Sequence, residues 1–279
     1  MGYKIIGDSC LDLTAALKED SRFQTVPLTL QVDEHMVVDD ETFDQKAFIG
    51  LVKASPNCPR SACPSPEAFK KAYECPEEDV FVITLSSHLS GSFNSAMVGK
   101  DLYQEEHGKK NILVIDSESA SSGELNLALA IADMYDQGME FEEVSRRILK
   151  MRDEQQTYFV IDSLEPLRKN GRLTGLQAFF ATALNIKPVM GADHGVIIKL
   201  DQARGITRAF ARMTEIATKN AARLEKKVAV IAHCNCPDRA RQVREELEKR
   251  GSFSQIVVTE TAGVATMYAG DGGIVLAVG

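Results

Sequence analysis

The sequence predicts an α/β protein of two domains, an N-terminal doubly wound parallel sheet and a smaller C-terminal α/β domain. Three observations carry that expectation. The runs Val80-Phe81-Val82-Ile83 and Ile112-Leu113-Val114-Ile115 are apolar without alternation, as strands covered on both faces are. Each passes through a polar turn into a helical pattern, and strands alternating with helices indicate a parallel sheet. At Asp153-Glu154-Gln155-Gln156 the composition turns polar, and beyond it strands pair around helices. The expected domains are therefore residues 1–154 and 155–279 of a chain of 279 residues, long enough for two domains of ordinary size.

Taken in order, residues 3–6 read as a first strand ended by Asp8 and Ser9, and Asp12 or Ser9 is expected to cap a helix over 13–18. Residues 26–32 read as one strand, with Pro27 marking an edge or a strand start, and Met36-Val37-Val38 is expected to pair with it. A helix over 42–54 places Phe48, Ile49 and Val52 on one face. Ser65 as N-cap, Pro66 at the first helical position and Glu67 after it specify the next helix start and leave Ser61 in the loop before it. The strand 80–83 leads to a helix over 93–105. The strand 112–115 leads to one over 124–135, apolar on most faces, expected to be sandwiched and stopped by Gly138. A helix over 141–152 turns Val144, Ile148 and Met151 inward.

In the second half, 158–161 reads as a strand, and Ser163 caps a helix over 164–169. Residues 173–184, with Phe179 and Phe180, are hydrophobic all round as a helix, which must be buried or line something apolar. Strands over 185–190 and 195–200 join at Asp193-His194-Gly195. A long helix over 207–226, a strand over 228–232 and a helix over 237–249 follow; Lys249 and Arg250 suit the end of that helix dipole. A strand over 256–258, a Gly-rich segment over 263–273 and a strand over 274–278 complete the chain.

Composition excludes several classes. Hydrophobic residues at 44% and charged residues at 26% are ordinary for a soluble globular chain. A net charge of −8 and a pI near 5.3 argue against a nucleic-acid surface, which carries a basic patch. No apolar stretch reaches the length of a membrane span. The N-terminus runs straight into a strand pattern with no signal peptide, and Ile6 occupies the position where myristoylation needs Ser or Thr. The expected compartment is the cytoplasm. Six scattered cysteines do not make a disulfide framework there. Cys234-Asn235-Cys236 beside His233 is spaced too tightly and offers too few ligands for zinc, so no metal is expected.

The stretch Thr84-Leu85-Ser86-Ser87-His88-Leu89-Ser90-Gly91-Ser92-Phe93-Asn94-Ser95 joins a strand end to a helix start, where open α/β sheets bind ligands. Helix-start amides lack partners inside the helix and favour an anion, and the serine hydroxyls add donors. A capped turn with no ligand is the competing reading. No Gly-x-x-x-x-Gly-Lys-Ser/Thr loop is present, and no Gly-x-Gly-x-x-Gly opens a helix after the first strand, so a nucleotide is not indicated and no cofactor is expected. His88 adjoins the turn without a Gly-x-Ser-x-Gly elbow, which leaves a serine hydrolase without its nucleophile. What remains is an anion beside an unusually apolar helix, the description of a fatty acid. An acyl tail gains about 0.8 kcal/mol per buried CH₂.

Six segments stand out together: Asp8-Ser9-Cys10-Leu11-Asp12-Leu13, Ser61-Ala62-Cys63-Pro64-Ser65-Pro66, Leu89-Ser90-Gly91-Ser92-Phe93-Asn94-Ser95-Ala96, Asp116-Ser117 through Gly123, Gly171-Arg172-Leu173 and Asn185-Ile186-Lys187-Pro188. Together they resemble the DegV family of bacterial fatty-acid-binding proteins, which are similar to the acyl-binding subunits of fatty acid kinase. The segments occur in the family's order over nearly the whole chain.

The resemblance implies a two-domain α/β fold with a long-chain fatty acid buried in or between the domains. The N-terminal domain would carry the carboxylate loops, and the C-terminal domain would contribute the apolar tail pocket. Ser61, Ser90, Gly91, Ser92 and Ser95 would hold the carboxylate, and Phe179 and Phe180 would line the tail. It further implies a separate ATP-dependent fatty acid kinase subunit as partner, with Arg172 and Tyr268 as the coupling candidates and no catalytic residue in this chain. The family's late His-x-Gly-Pro-Gly is here Tyr268-Ala269-Gly270-Asp271-Gly272. A His can carry positive charge beside a developing phosphate, whereas Tyr is neutral and Asp271 adds repulsion. Fatty acid binding thus transfers more safely than kinase partnership. The rival classes are an enzyme acting on a small carbonyl or phosphorylated compound through His88, or through Arg172 with Tyr268, and a ligand-free interaction module.

Overall fold

In a computed structural model the chain is described over residues 2–173 and 185–279. Seven strands come from the first half: β1 (Tyr3–Asp8), β2 (Phe23–Val26), β3 (Thr29–Val32), β4 (His35–Val38), β5 (Arg60–Ala62), β6 (Asp79–Thr84) and β7 (Asn111–Asp116). Four form a wholly parallel sheet in the order β2-β1-β6-β7. The unbroken apolar runs explain this: β6 is buried at every position and is covered on both faces. The other three make a small antiparallel sheet, β4-β3-β5.

The second half builds a six-stranded sheet from β8 (Gln156–Val160), β9 (Ile186–Asp193), β10 (Val196–Arg204), β11 (Val228–His233), β12 (Gln255–Glu260) and β13 (Ile274–Val278). Its order is β10-β9-β8-β13-β11-β12, antiparallel throughout except for β11 with β12. The helices are α1 (Ala15–Lys18), α2 (Gln45–Ala54), α3 (Pro66–Ala72), α4 (Ser92–His107), α5 (Ser122–Asp136), α6 (Phe141–Glu154), α7 (Glu165–Lys169), α8 (Ile206–Asn220), α9 (Pro237–Arg250) and α10 (Gly263–Ala269).

The fold is the mixed α/β arrangement that the strand–helix alternation predicts, and α5 is its joint. Leu125, Leu127, Ala128 and Ile131 pack with Phe81 and Ile83 of the parallel sheet and with Val230 of the six-stranded sheet. A helix that meets a sheet on either side must be apolar on most faces, which is how its sequence reads.

Five local expectations need correction. The strand over 26–32 is two strands in different sheets, because Pro27 cannot donate to a ladder and the chain turns there. The helix near residue 13 begins only at Ala15, capped by the Thr14 hydroxyl, and Asp12 and Ser9 are used elsewhere. The helix over 207–226 stops at Asn220, with a separate 3₁₀ turn at Leu224–Lys226. The Gly-rich segment begins with α10, which is buried along most of its length. Residue Ser61 lies in β5 and not in a loop. The apolar helix over 173–184, with Phe179 and Phe180, falls outside the described residues beyond Leu173.

Candidate functional site

Between the sheets lies a cavity of about 110 Å³ with an almost wholly apolar wall. Strand β8 supplies Thr157 and Phe159 to it, alternate residues that share one face of a strand, and Ile161 just past its end adds a third. Helix α10 adds Val264, Ala265, Tyr268 and Ala269, and the β9–β10 turn adds Gly195. That turn is pinned to the first half where the Ser86 hydroxyl donates to the Gly195 carbonyl at 2.9 Å. Gly195 has φ +79°, and a Cβ there would meet the Ser86 Oγ at 2.3 Å, so no other residue fits.

One end of the cavity is polar, and four side chains converge there: Ser61 of β5, Ser90 of the β6–α4 turn, Arg172 and Tyr268. Ser61 Oγ and Tyr268 Oη lie 3.3 Å apart. Ser90 Oγ and Ser92 Oγ lie 3.0 Å apart, and the Ser92 amide donates to Ser90 Oγ at 3.2 Å. The Ser61–Tyr268 pair has two protons and uses one between its members, so it keeps one to donate, whereas Ser90 donates to Ser92 and the Ser92 proton goes to Asp8. The Arg172 guanidinium sits 5.8 Å from the centroid of the Tyr268 ring. Its Nε donates to the Leu89 carbonyl at 3.1 Å and its Nη1 to the Asn170 carbonyl at 2.6 Å. Among the described residues nothing accepts from Nη2. The helix start of α4 has Gly91 as N-cap and no side chain capping it. Hydroxyl donors, a fixed guanidinium and an open helix start suit a carboxylate.

The expected residues do not all reach the cavity. Ser61, Ser90, Arg172 and Tyr268 line it, but Gly91, Ser92 and Ser95 do not. Ser92 is fully buried behind Ser90, and its hydroxyl acts on the Asp8 carboxyl. Ser95, also buried, lies 3.9 Å from the Cys63 sulfur. His88 is exposed, and its amide, not its ring, makes its hydrogen bond. Asp271 bonds Lys53 at 2.6 Å and Asn235 at 2.9 Å, and these partners hold its carboxyl below the usual range. Its charge is therefore already offset, contrary to the repulsion expected from the sequence. No group of His, Cys, Asp or Glu among the described residues is arranged to hold a metal.

No pattern in the chain warns of the carboxyl groups buried behind the cavity. Asp39 accepts from Ser9 Oγ at 2.8 Å and from the amides of Gly263, at 2.5 Å, and Val264, at 2.8 Å, which begin α10. Asp12 accepts from the Ser121 hydroxyl and from the Ala262 amide at 2.6 Å. Asp8 accepts from the amides of Leu85, at 2.9 Å, and Cys10, at 3.1 Å. Burial raises Asp8 to about 6 and Asp12 to about 7. Burial, with Asp8 adding to it, pushes Glu124 well above the usual carboxylate range. Charged residues are ordinarily exposed, so their types alone carry no signal of this. Helix α10 did have one: Val264, Met267 and Tyr268 recur at helical spacing.

The DegV family model, described as an uncharacterised protein of that family, matches residues 3–278. The chain belongs to the DegV family. A DegV domain-containing protein of Streptococcus pyogenes is 35% identical over 99% of this chain and 99% of its own. A crystal structure of a DegV family protein from Ruminococcus gnavus, refined with vaccenic acid, superposes with a TM-score of 0.96 at 41% identity, covering 99% of each chain. The Streptococcus pneumoniae fatty acid kinase (Fak) B3 protein loaded with linoleic acid gives a TM-score of 0.90 at 32% identity, again over 99% of each. The family resemblance read in the sequence is thus borne out. No helix among the described residues is long and apolar enough to cross a membrane.

Proposed function

We propose that this DegV protein is a non-catalytic carrier of a long-chain fatty acid. The observation that carries the reading is the cavity itself, apolar along its wall and furnished with hydroxyls and a guanidinium at one end. Similar proteins hold vaccenic and linoleic acids. On this reading the carboxylate sits beside Ser90 and accepts from the free proton of the Ser61–Tyr268 pair and from Arg172 Nη2. Ser92 positions Ser90, and Gly91 and Ser95 shape the turn. The tail follows Phe159, Ile161 and the α10 side chains, with Phe179 and Phe180 kept as tail contacts on the sequence alone. Residues 1–154 supply the Ser61 and Ser90 hydroxyls, and residues 155–279 supply most of the tail wall. Burial at about 0.8 kcal/mol per CH₂ makes the tail the main source of affinity and the head the source of orientation.

The likeness to Fak B3 supports the second part of the reading, presentation of the carboxylate to a separate ATP-dependent kinase that forms the acyl phosphate. Arg172 and Tyr268 are the coupling candidates, and the reading carries a cytoplasmic location and no cofactor with it. Solvent extraction of the purified protein followed by mass spectrometry tests the first part. A stoichiometric acyl chain is expected; none extracted, and no uptake of added oleate by delipidated protein, overturns it. Mixing the loaded protein with a fatty acid kinase catalytic subunit and ATP tests the second, with acyl phosphate as the expected product.

A further inference from the structure

A third hydroxyl pair, made by other residues than the two already described, lines the cavity. Ser119, in the loop after β7, and Thr157 of β8 lie 2.6 Å apart, oxygen to oxygen, and both are buried. The pair bridges the two halves of the fold. It is a built feature: Gly123 of α5 leaves the space for it, since a Cβ there would meet Ser119 Oγ at 1.9 Å and Thr157 Oγ1 at 3.1 Å. The two side chains hold two hydroxyl protons, and one is spent between them. The Ser119 amide goes to Ser117 Oγ and its carbonyl to the Ser86 amide, so neither backbone group competes for the second proton. No other hydrogen bond to either side-chain oxygen exists among the described residues. One donor therefore remains uncommitted in a wall that is otherwise apolar.

Its position along the wall follows from β8. Thr157, Phe159 and Ile161 face the cavity in turn, and at about 3.3 Å per residue Thr157 lies roughly 13 Å from Ile161. Beyond Ile161 the chain continues to Leu167 and Arg172, at the carboxylate end. A buried hydroxyl left without an acceptor is costly, and a plain hydrocarbon chain offers none. An oxygen substituent on the chain does. We propose that Ser119 and Thr157 form a second, polar subsite, and that the acyl chains this protein takes in preference are oxygenated ones, bearing a hydroxyl or keto oxygen away from the carboxylate. This rests on the fatty acid reading above and deepens it.

The test compares Kd values of delipidated protein for stearate, for a positional series of hydroxystearates and for the ketostearate matching the best of them. One position in the series is expected to bind at least about fivefold more tightly than stearate, the yield of one added hydrogen bond, and the ketone to share the gain because the protein is the donor. In Thr157→Val, nearly isosteric, and independently in Ser119→Ala, the ratio between stearate and that isomer is expected to fall to about one. Stearate bound as tightly as every isomer would overturn the subsite while leaving the fatty acid reading intact, as would a preference that survives both substitutions. Failure of stearate and all isomers to bind would overturn both.

Discussion

The polar end of the cavity, where a fatty acid carboxylate is proposed to sit, and the acid cluster behind it use the same parts to opposite ends. In both, hydroxyls and helix-start amides surround a carboxylate position. At α10 the helix start is filled by the protein's own Asp39, which takes the Gly263 and Val264 amides and Ser9 Oγ. At α4 the N-cap is Gly91 and no carboxylate of the chain takes the start amides, Ser90 Oγ accepting only from the Ser92 amide, and the nearby hydroxyls of Ser90 and Ser61 are half-buried. The difference teaches that a helix start is a ligand site only when the chain has no carboxylate of its own to place there. The filled position fixes α10, and α10 in turn carries Tyr268 to the open one.

That contrast breaks most visibly with pH. Asp12 rises to about 7 and Asp8 to about 6 on burial, so the folded state holds protons that the unfolded chain releases near pH 4. Their favourable term is complete below that unfolded value and is lost as pH climbs through the folded ones. Stability should therefore fall between about pH 4 and about pH 7, with Asp12 alone accounting for up to about 4 kcal/mol. Chemical denaturation at several pH values checks this, and Asp12→Asn should flatten the profile. A stability that rises over that window would show the cluster ionised and the contrast misdrawn.

Removing the Asp39 carboxylate comes next. Asp39→Ala strands two amides and a serine hydroxyl at the start of α10, and about 3 kcal/mol of stability should go with it, read as a lowered denaturation midpoint. Because α10 carries Tyr268, fatty acid affinity should fall too, and Asp39→Asn should restore part of both. The double substitution Ser61→Ala with Ser92→Ala sharpens the comparison from the other side. It should weaken fatty acid binding by roughly tenfold, about 1.4 kcal/mol, while the fold persists. Unchanged affinity, measured by fluorescent fatty acid displacement, would move the head group elsewhere. The smallest effect belongs to Lys53→Ala, which breaks an ion pair with Asp271 whose lysine is 63% exposed. Such pairs contribute little, and a melting shift of less than about 0.5 kcal/mol equivalent is expected.

Much of this architecture was written in local pattern. The apolar runs of β6 and β7 dictate buried parallel strands, Ser65 with Pro66 dictates the start of α3, and the all-round apolar character of α5 dictates a sandwiched helix. These follow from period, capping and propensity, which act over a few residues and need no knowledge of distant partners. The serine turn before α4 was equally legible as an anion-favouring place, and its motifs carried the family. Tertiary structure alone decided the rest. It made Pro27 a break between two sheets and sent the Ser92 hydroxyl toward Asp8, leaving Ser90 at the cavity. It also filled one helix start with Asp39, 224 residues away from Gly263 in the chain, and left the other open. Whether a donor is free depends on which acceptor the fold brings to it, and that is settled by packing across the whole chain and not by neighbours in sequence.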